Sequence, residues 1–365
     1  PGLSFSPEFS PMVLSSRTPL ISAVKSLNFS FHSFSKNEMK AAVVHEFGDV
    51  GKIKIENNWP IPDFTDTQVL IKVKASSVNP VDTYIRSGNY ASLPRLPYVP
   101  GREGAGVVEK VGSSVTNLAP GDRVWFSTTV TGSASEYSVV ESRSVFPLPD
   151  NTSFAEGSTL GIACLTAYRA LFVKAKAQPG ESVFVHGASG GVGLAAVQLG
   201  KAHGLRISGS AGSEEGMQLV GDQGADFVIN HNEEGYVEKI LKSRPEGFDV
   251  ILEMLANVNL DSDFSLMAKF GRICVVGNRG RIQIDPRQLM QKEGTVVGVM
   301  LSHTSPQELD HMGSAINQML KNGQLKPVID LELPLDRLHE AHTRVLEKTA
   351  SKGKIIINFD LPDSH

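Results

Sequence analysis

One turn constrains this chain more than any other segment: SVFVHGASGGVGLAAVQLG, residues 182–200. An apolar run ends at Val185, a tight turn of small residues follows, and a helical pattern opens near Gly191. The spacing is Ala188-x-Gly190-x-x-Gly193, with alanine in the first position of a GxGxxG pattern. Such a pattern in isolation is weak evidence. Between a strand and a helix, within a run of βαβ units, it points to a dinucleotide. Gly190 lets the backbone approach a pyrophosphate, and Gly193 lets the helix pack close to the sheet. The free N–H groups and dipole at the helix start favour the negative charge. Ser189, Gly190, Gly191, Val192 and Gly193 are therefore the expected phosphate cradle. A purely structural strand–helix turn is the bland alternative.

The surroundings supply that context. RISGS reads as a strand and EEGMQLVGDQG as a helix. DFVIN, YVEKILKS, DVILEM, NLDSDFSLMAK and RICVVG continue the alternation, and TVVGVML adds a strand. Alternation at this spacing predicts a parallel sheet covered by helices on both faces. Before it, from Met39 to about Phe146, the pattern is β. In QVLIKVKASSV, Val69, Ile71 and Val73 alternate with other residues, the period of a half-buried strand. GAGVVEKVG, GDRVWF and EYSVVE follow between Gly and Pro turns, as in a barrel-like or sandwich-like domain. Residues 154–176 read as one helix. Pro306 to Lys321 reads as an amphipathic helix, and short elements end in GKIIINF. The simplest arrangement returns this tail to the first domain and leaves a cleft between the two as the binding site.

Charge and cysteine content narrow the class. The 365 residues carry a net charge of −4, which does not advertise a nucleic-acid binder. Cys164 and Cys274 sit in apolar runs and read as buried thiols. Two distant cysteines cannot build a four-cysteine zinc site. No apolar run reaches the length of a membrane span. Residues 1–38 are rich in Ser and Phe and carry Arg17, Lys25 and Lys36. They resemble a mitochondrial transit peptide or a disordered leader, with Met39 a plausible start. The expected location is cytoplasmic, or mitochondrial if that segment targets.

The second strand of the alternating region discriminates NAD from NADP. It ends in Ser208-Gly209-Ser210-Ala211-Gly212, without the carboxylate that usually meets the ribose hydroxyl of NAD. Space and hydroxyls there accept a 2′-phosphate, so NADPH is expected. Glu214 and Glu215 blur this, and no obvious Lys or Arg sits beside the strand to neutralise the phosphate.

Several stretches now carry a resemblance: VNPVDTYIRSGNY, HGASGGVGLAAVQL, AGSEEG, EMLANVNL, VVGNRG and GQLKPVI. Together they resemble the zeta-crystallin, NADPH:quinone reductase branch of the medium-chain dehydrogenase/reductase superfamily, over about Met39 to Phe359. The resemblance implies an α/β fold, a Rossmann doubly wound parallel sheet (156–301) inserted into a β-rich GroES-like substrate domain (39–155 plus 302–360). Zinc-dependent relatives carry a catalytic Cys in the Asn79-Pro80 region and a His where Arg102 stands, and a four-Cys lobe is absent. No metal is therefore expected. Without zinc, an alcohol cannot be polarised for hydride removal, whereas a quinone needs little more than positioning.

The resemblance also implies residue roles. Tyr84 would sit beside the nicotinamide and the substrate, where its phenol could bond or protonate a quinone oxygen. Asn79 would contact cofactor or substrate, and Tyr90 would line the substrate mouth. Gly212 and His231 would lie on the adenosine side. Asn259, the turn Val276, Gly277, Asn278 and Arg279, and the strand Val299, Met300 and Leu301 would contact the nicotinamide half. Asn278 stands where Ser is usual, and Arg102-Glu103 is also unlike many relatives. The implied activity is quinone reduction, ortho-quinones favoured, by hydride or single-electron transfer. The implied assembly is a homotetramer or homodimer. Alternatives are an alkenal or enone reductase of the same fold, and an AU-rich RNA-binding or lens structural role, which the negative charge does not support.

Overall fold

A computed structural model of the chain describes residues 38–346 and 352–364. The leader reading falls outside these residues. The described residues form one compact unit built on two large sheets.

The first is the expected parallel sheet. Its strands are β1 (Ser182–Val185), β2 (Arg206–Ala211), β3 (Phe227–Asn230), β4 (Phe248–Glu253), β5 (Met267–Val275) and β6 (Thr295–Gly298). They lie in the order β3-β2-β1-β4-β5-β6, every neighbouring pair parallel. This is the order of a doubly wound dinucleotide-binding sheet, whose switch point lies between β1 and β4. β1 shows why the run is apolar throughout. Val183 and Val185 pack on the layer with helix Gly191–Ala202, while Phe184 packs with Phe248 and Phe264 on the other face. A strand buried on both faces has no use for polar alternation.

The second sheet has seven strands. Gln68–Val78 is central, paired antiparallel with Gly104–Val111, Tyr137–Glu141 and Lys354–Asn358. Ile329–Leu333 runs parallel to Lys354–Asn358 at one edge. Arg123–Phe126 and Val145–Pro147 complete the other side. Two of these strands come from the tail, so the sheet joins chain segments on both sides of the parallel sheet. Helix Pro306–Lys321 matches its expected bounds and carries a Ser305/Glu308 capping box. Its Met312, Ile316 and Leu320 enter the core that holds Trp125, Phe146 and Val183. Trp125 Nε1 donates to Asn317 Oδ1 on this helix at 2.9 Å.

Two local readings are corrected. Residues 154–176 are not one regular helix: wide-turn segments Leu160–Cys164 and Arg169–Lys174 interrupt α-helical turns at Phe154–Gly157 and Leu165–Tyr168. The physical cause lies in the partners. Ile162 N donates to the buried Glu103 Oε2 at 2.6 Å, and Ala170 O accepts from Cys274 Sγ. Backbone groups claimed by tertiary partners leave the regular ladder. In the second case the helix in NLDSDFSLMAK stops at Leu266, because Met267 already pairs with Phe248 as the start of β5.

Cys164 and Cys274 are both buried free thiols, each pushed up to about 12 by burial. Among the described residues no helix is long and apolar enough to cross a membrane.

Candidate active site

The switch point opens into a cleft of about 700 Å³. Its floor is the glycine turn. Gly187 adopts φ +55°, a left-handed conformation that a side chain would strain, while Ala188 needs no such freedom. This explains the alanine in the first motif position. Ala188 is held instead by its N–H, which donates to Ser210 O at 2.7 Å. A Cβ on Gly193 would lie 2.6 Å from both Cα and O of Ala188, so the helix packs on the turn backbone to backbone. Gly190 caps the helix without any side-chain hydrogen bond to the first-turn N–H groups. Those donors face the cleft and can accept an anion. The turn therefore fits the pyrophosphate of a dinucleotide.

Beyond the end of β2, Ser213 Oγ accepts from Gly216 N and caps helix Glu214–Asp222. Gly212 is small because His231 Nε2 would lie 3.0 Å from a Cβ there. Asn232 Nδ2 donates to Gly212 O at 2.9 Å, and His231 Nδ1 lies 3.4 Å from Ser210 Oγ. Burial, then the neighbouring His186, holds His231 below the usual imidazole range and hence uncharged at neutral pH.

Two buried polar clusters support the cleft. The first comprises His186, Glu253 and Asp263. His186 Nε2 lies 2.7 Å from Asp263 Oδ1 and 3.5 Å from Glu253 Oε2. Burial pushes Glu253 up to about 7, with Asp263 adding to it and His186 opposing. Burial would lower His186, but Asp263 and Glu253 outweigh it and raise it. Glu253 Oε1 accepts from Asn259 Nδ2 at 3.2 Å and from Leu255 N, so the cluster orients a cleft residue. Spacing along the chain shows no metal-ligand pattern for these residues, yet the fold brings three donors within reach of one cation.

The second cluster joins the two sheets. Lys354 Nζ donates to Asn79 Oδ1 at 2.5 Å and Glu103 Oε1 at 3.1 Å. Asn79 Nδ2 donates to Glu103 Oε1 at 2.8 Å, and Ser77 Oγ donates to the same oxygen. Glu103 is fully buried, and Lys354 and Asn79 nearly so. The Lys354 stem lies against Gly191, where a Cβ would be 2.5 Å away. One residue earlier, Gly353 N donates to Ser189 O at 3.0 Å. The tail is thus threaded between the glycine turn and the start of helix Pro80–Arg86.

The expected residues divide accordingly. Asn79, Gly190, Gly191, Val192, Gly193, His231, Asn259 and Arg279 come together on the cleft wall. Tyr84 and Tyr90 are half-buried outside that wall, Tyr84 one turn into the helix that Asn79 caps. Asn79 itself spends its amide on Glu103 and Lys354. Ser189 and Gly212 do not line the cleft. Val276 and Gly277 donate their N–H groups to Glu253 O, and Asn278 is exposed, donating to Gly280 O. Val299–Leu301 is not strand, since β6 ends at Gly298; Met300 O accepts from Arg169 Nη1. His186, Glu253, Asp263 and the tail residues 352–354 escape a reading by motif, because their partners lie far away in sequence.

Arg102 faces a second cavity of about 600 Å³ beside Trp59, Tyr98 and Asp82. Burial pushes Asp82 up to about 6.

Comparison with known proteins agrees with this geometry. Residues 65–150 match the alcohol dehydrogenase GroES-like domain, and residues 191–318 match the zinc-binding dehydrogenase family. The human quinone oxidoreductase is 46% identical over 320 residues, 87% of this chain and 97% of that protein. The mouse quinone oxidoreductase is 45% identical over 322 residues, with the same coverage of both chains. The crystal structure of Escherichia coli quinone oxidoreductase complexed with NADPH superposes with a TM-score of 0.79 at 28% identity, covering 87% of this chain and 99% of that one. With a doubly wound sheet, a GroES-like domain and this degree of identity, the chain belongs to the quinone oxidoreductase (zeta-crystallin) family of the medium-chain dehydrogenase/reductase superfamily.

Proposed function

We propose that this protein reduces quinones with NADPH, without zinc, and favours ortho-quinones. The observation that carries this is the cleft where the glycine turn meets Asn79 and Lys354. A dinucleotide laid along the turn would bring its nicotinamide end toward residues of both sheets. When bound, NADPH supplies the reducing equivalents, as a hydride or as single electrons. The chain supplies placement. Asn79 is an amide already bonded to Glu103 and Lys354, and Arg102 is a cation. Neither offers the thiolate or imidazole that a catalytic zinc requires. A quinone does not need Lewis-acid activation, so positioning and exclusion of water suffice. Segments 39–155 and 302–360 would form the acceptor lobe, and 156–301 the cofactor lobe.

The test is NADPH oxidation by the purified protein with 1,2-naphthoquinone, beside NADH, an enal and a chelator. Chelator-insensitive turnover that prefers NADPH and the quinone is expected. Chelator sensitivity would refute the zinc-free reading, and faster enal turnover would reassign the acceptor. Tyr84→Phe should lower kcat about tenfold, the usual effect of one lost polar contact, with NADPH affinity unchanged. An unchanged kcat would remove Tyr84 from the acceptor site.

The same reading includes a homo-oligomer. Among the described residues β6 is an edge strand, paired with β5 alone. Around it Met290 is 75% exposed, Met300 47% and Val296 37%. An apolar open edge is a template for a second copy of itself. Val296→Lys should therefore halve the mass seen by sedimentation at micromolar concentration. Sedimentation of wild type and variant as the same species would place the interface elsewhere.

A further inference from the structure

We propose that Lys352, supplied by the tail, selects NADPH over NADH by binding the 2′-phosphate. The inference rests on the nicotinamide reading above and identifies a cation for the end of β2, which the residues that follow it in sequence do not supply. Two anchors locate Lys352. Its neighbour Gly353 donates its N–H to Ser189 O at 3.0 Å and bridges Gly190, so the backbone is pinned to the pyrophosphate turn. Its own Nζ pairs with Glu215 Oε2 in the first turn of helix Glu214–Asp222, just past the end of β2. The ammonium is therefore held between the phosphate turn and the end of β2. That interval is where the adenosine ribose lies in a doubly wound sheet.

The neighbours favour Lys352 over other candidates. Ser210, Ser213 and Asn232 are neutral, and His231 is kept uncharged by burial and His186. Arg279 lies beyond β5, with its backbone N–H on Asn257 Oδ1. Arg344 also lines the cleft, but its partner Glu340 lies on its own helix, whereas the partner of Lys352 lies just past β2. The Lys352–Glu215 pair also resolves the ambiguity of an acidic residue so close to β2. A carboxylate there would repel a 2′-phosphate, but this one is covered by a lysine that both anions can share. A 2′-phosphate, with its greater charge, competes for the ammonium; a 2′-hydroxyl does not.

The test is cofactor affinity, read from the fluorescence of bound NADPH and NADH, in wild type, Lys352→Ala, Lys352→Arg and Glu215→Gln. K352A should weaken NADPH about tenfold or more, the scale of a lost charge-assisted contact, and leave NADH unchanged. K352R should keep the preference. E215Q should bind NADPH at least as tightly as wild type, because a competitor is gone. Equal weakening of both cofactors in K352A, no change in either, or E215Q behaving like K352A would overturn the assignment. A wild-type protein that binds neither cofactor would instead refute the nicotinamide reading on which it rests.

Discussion

Gly193→Val is expected to abolish detectable NADPH binding and to lower stability by about 3 kcal/mol, the upper range for overpacking. The reason is the contact that glycine permits. A Cβ would stand 2.6 Å from two backbone atoms of Ala188, and backbone cannot rotate out of the way as a side-chain tip can. Helix Gly191–Ala202 would have to lift off the turn, and its first N–H groups would leave the phosphate position. Thermal unfolding and NADPH titration of the variant check both parts. The matched control is Gly221→Ala, in helix Glu214–Asp222, where a Cβ meets nothing within 4 Å. That change should stabilise by about 0.5–1 kcal/mol, the propensity difference between the two residues. A G193V protein that melts with wild type and binds NADPH would show that the helix has slack.

Glu103→Ala should cost about 3–5 kcal/mol, the range for stripping one partner from a buried ion pair. Lys354 would keep only Asn79 Oδ1 and a long contact to Val78 O for its buried charge. Ile162 N, Ser77 Oγ and Asn79 Nδ2 would each lose an acceptor at the same stroke. Urea denaturation measures the loss. The double variant with Lys354→Met should recover part of it, because the orphaned charge is then gone. A cost below about 1 kcal/mol for E103A would mean that the ammonium reaches water. The same variant should loosen the wide-turn helix, since Ile162 is tied there by Glu103.

What could be read in advance followed short-range rules. Strand–helix alternation predicted the parallel sheet, and the amphipathic pattern placed helix Pro306–Lys321 to the residue. The glycine turn announced itself because its neighbours in space are its neighbours in sequence. Hidden features depended on distant partners. The interrupted helix at 154–174 looked regular because Glu103 and Cys274, which claim its backbone groups, are far away along the chain. His186 read as one residue of the turn, with Glu253 and Asp263 beyond any local window. Lys352 escaped for the same reason: the sequence just past the end of β2 holds no cation, because the cation arrives from the tail. Tyr84 shows the converse limit. A motif can suggest a role for it, but the wall of the cleft is set by which side of a helix faces the turn.

The threaded tail has a consequence for the order of assembly. Helical and parallel elements from Ser182 to Gly298 can pair as they emerge from the ribosome, each strand beside one already made. The strand Lys354–Asn358 cannot; its partner Gln68–Val78 must wait for it through nearly the whole of synthesis. Until then Glu103 has no lysine, the glycine turn has no Gly353 behind it, and one side of Gln68–Val78 stays open. Completion of the cofactor floor is thereby postponed to a late event in the life of the nascent chain, and the binding-competent state is reached only after both halves have been made.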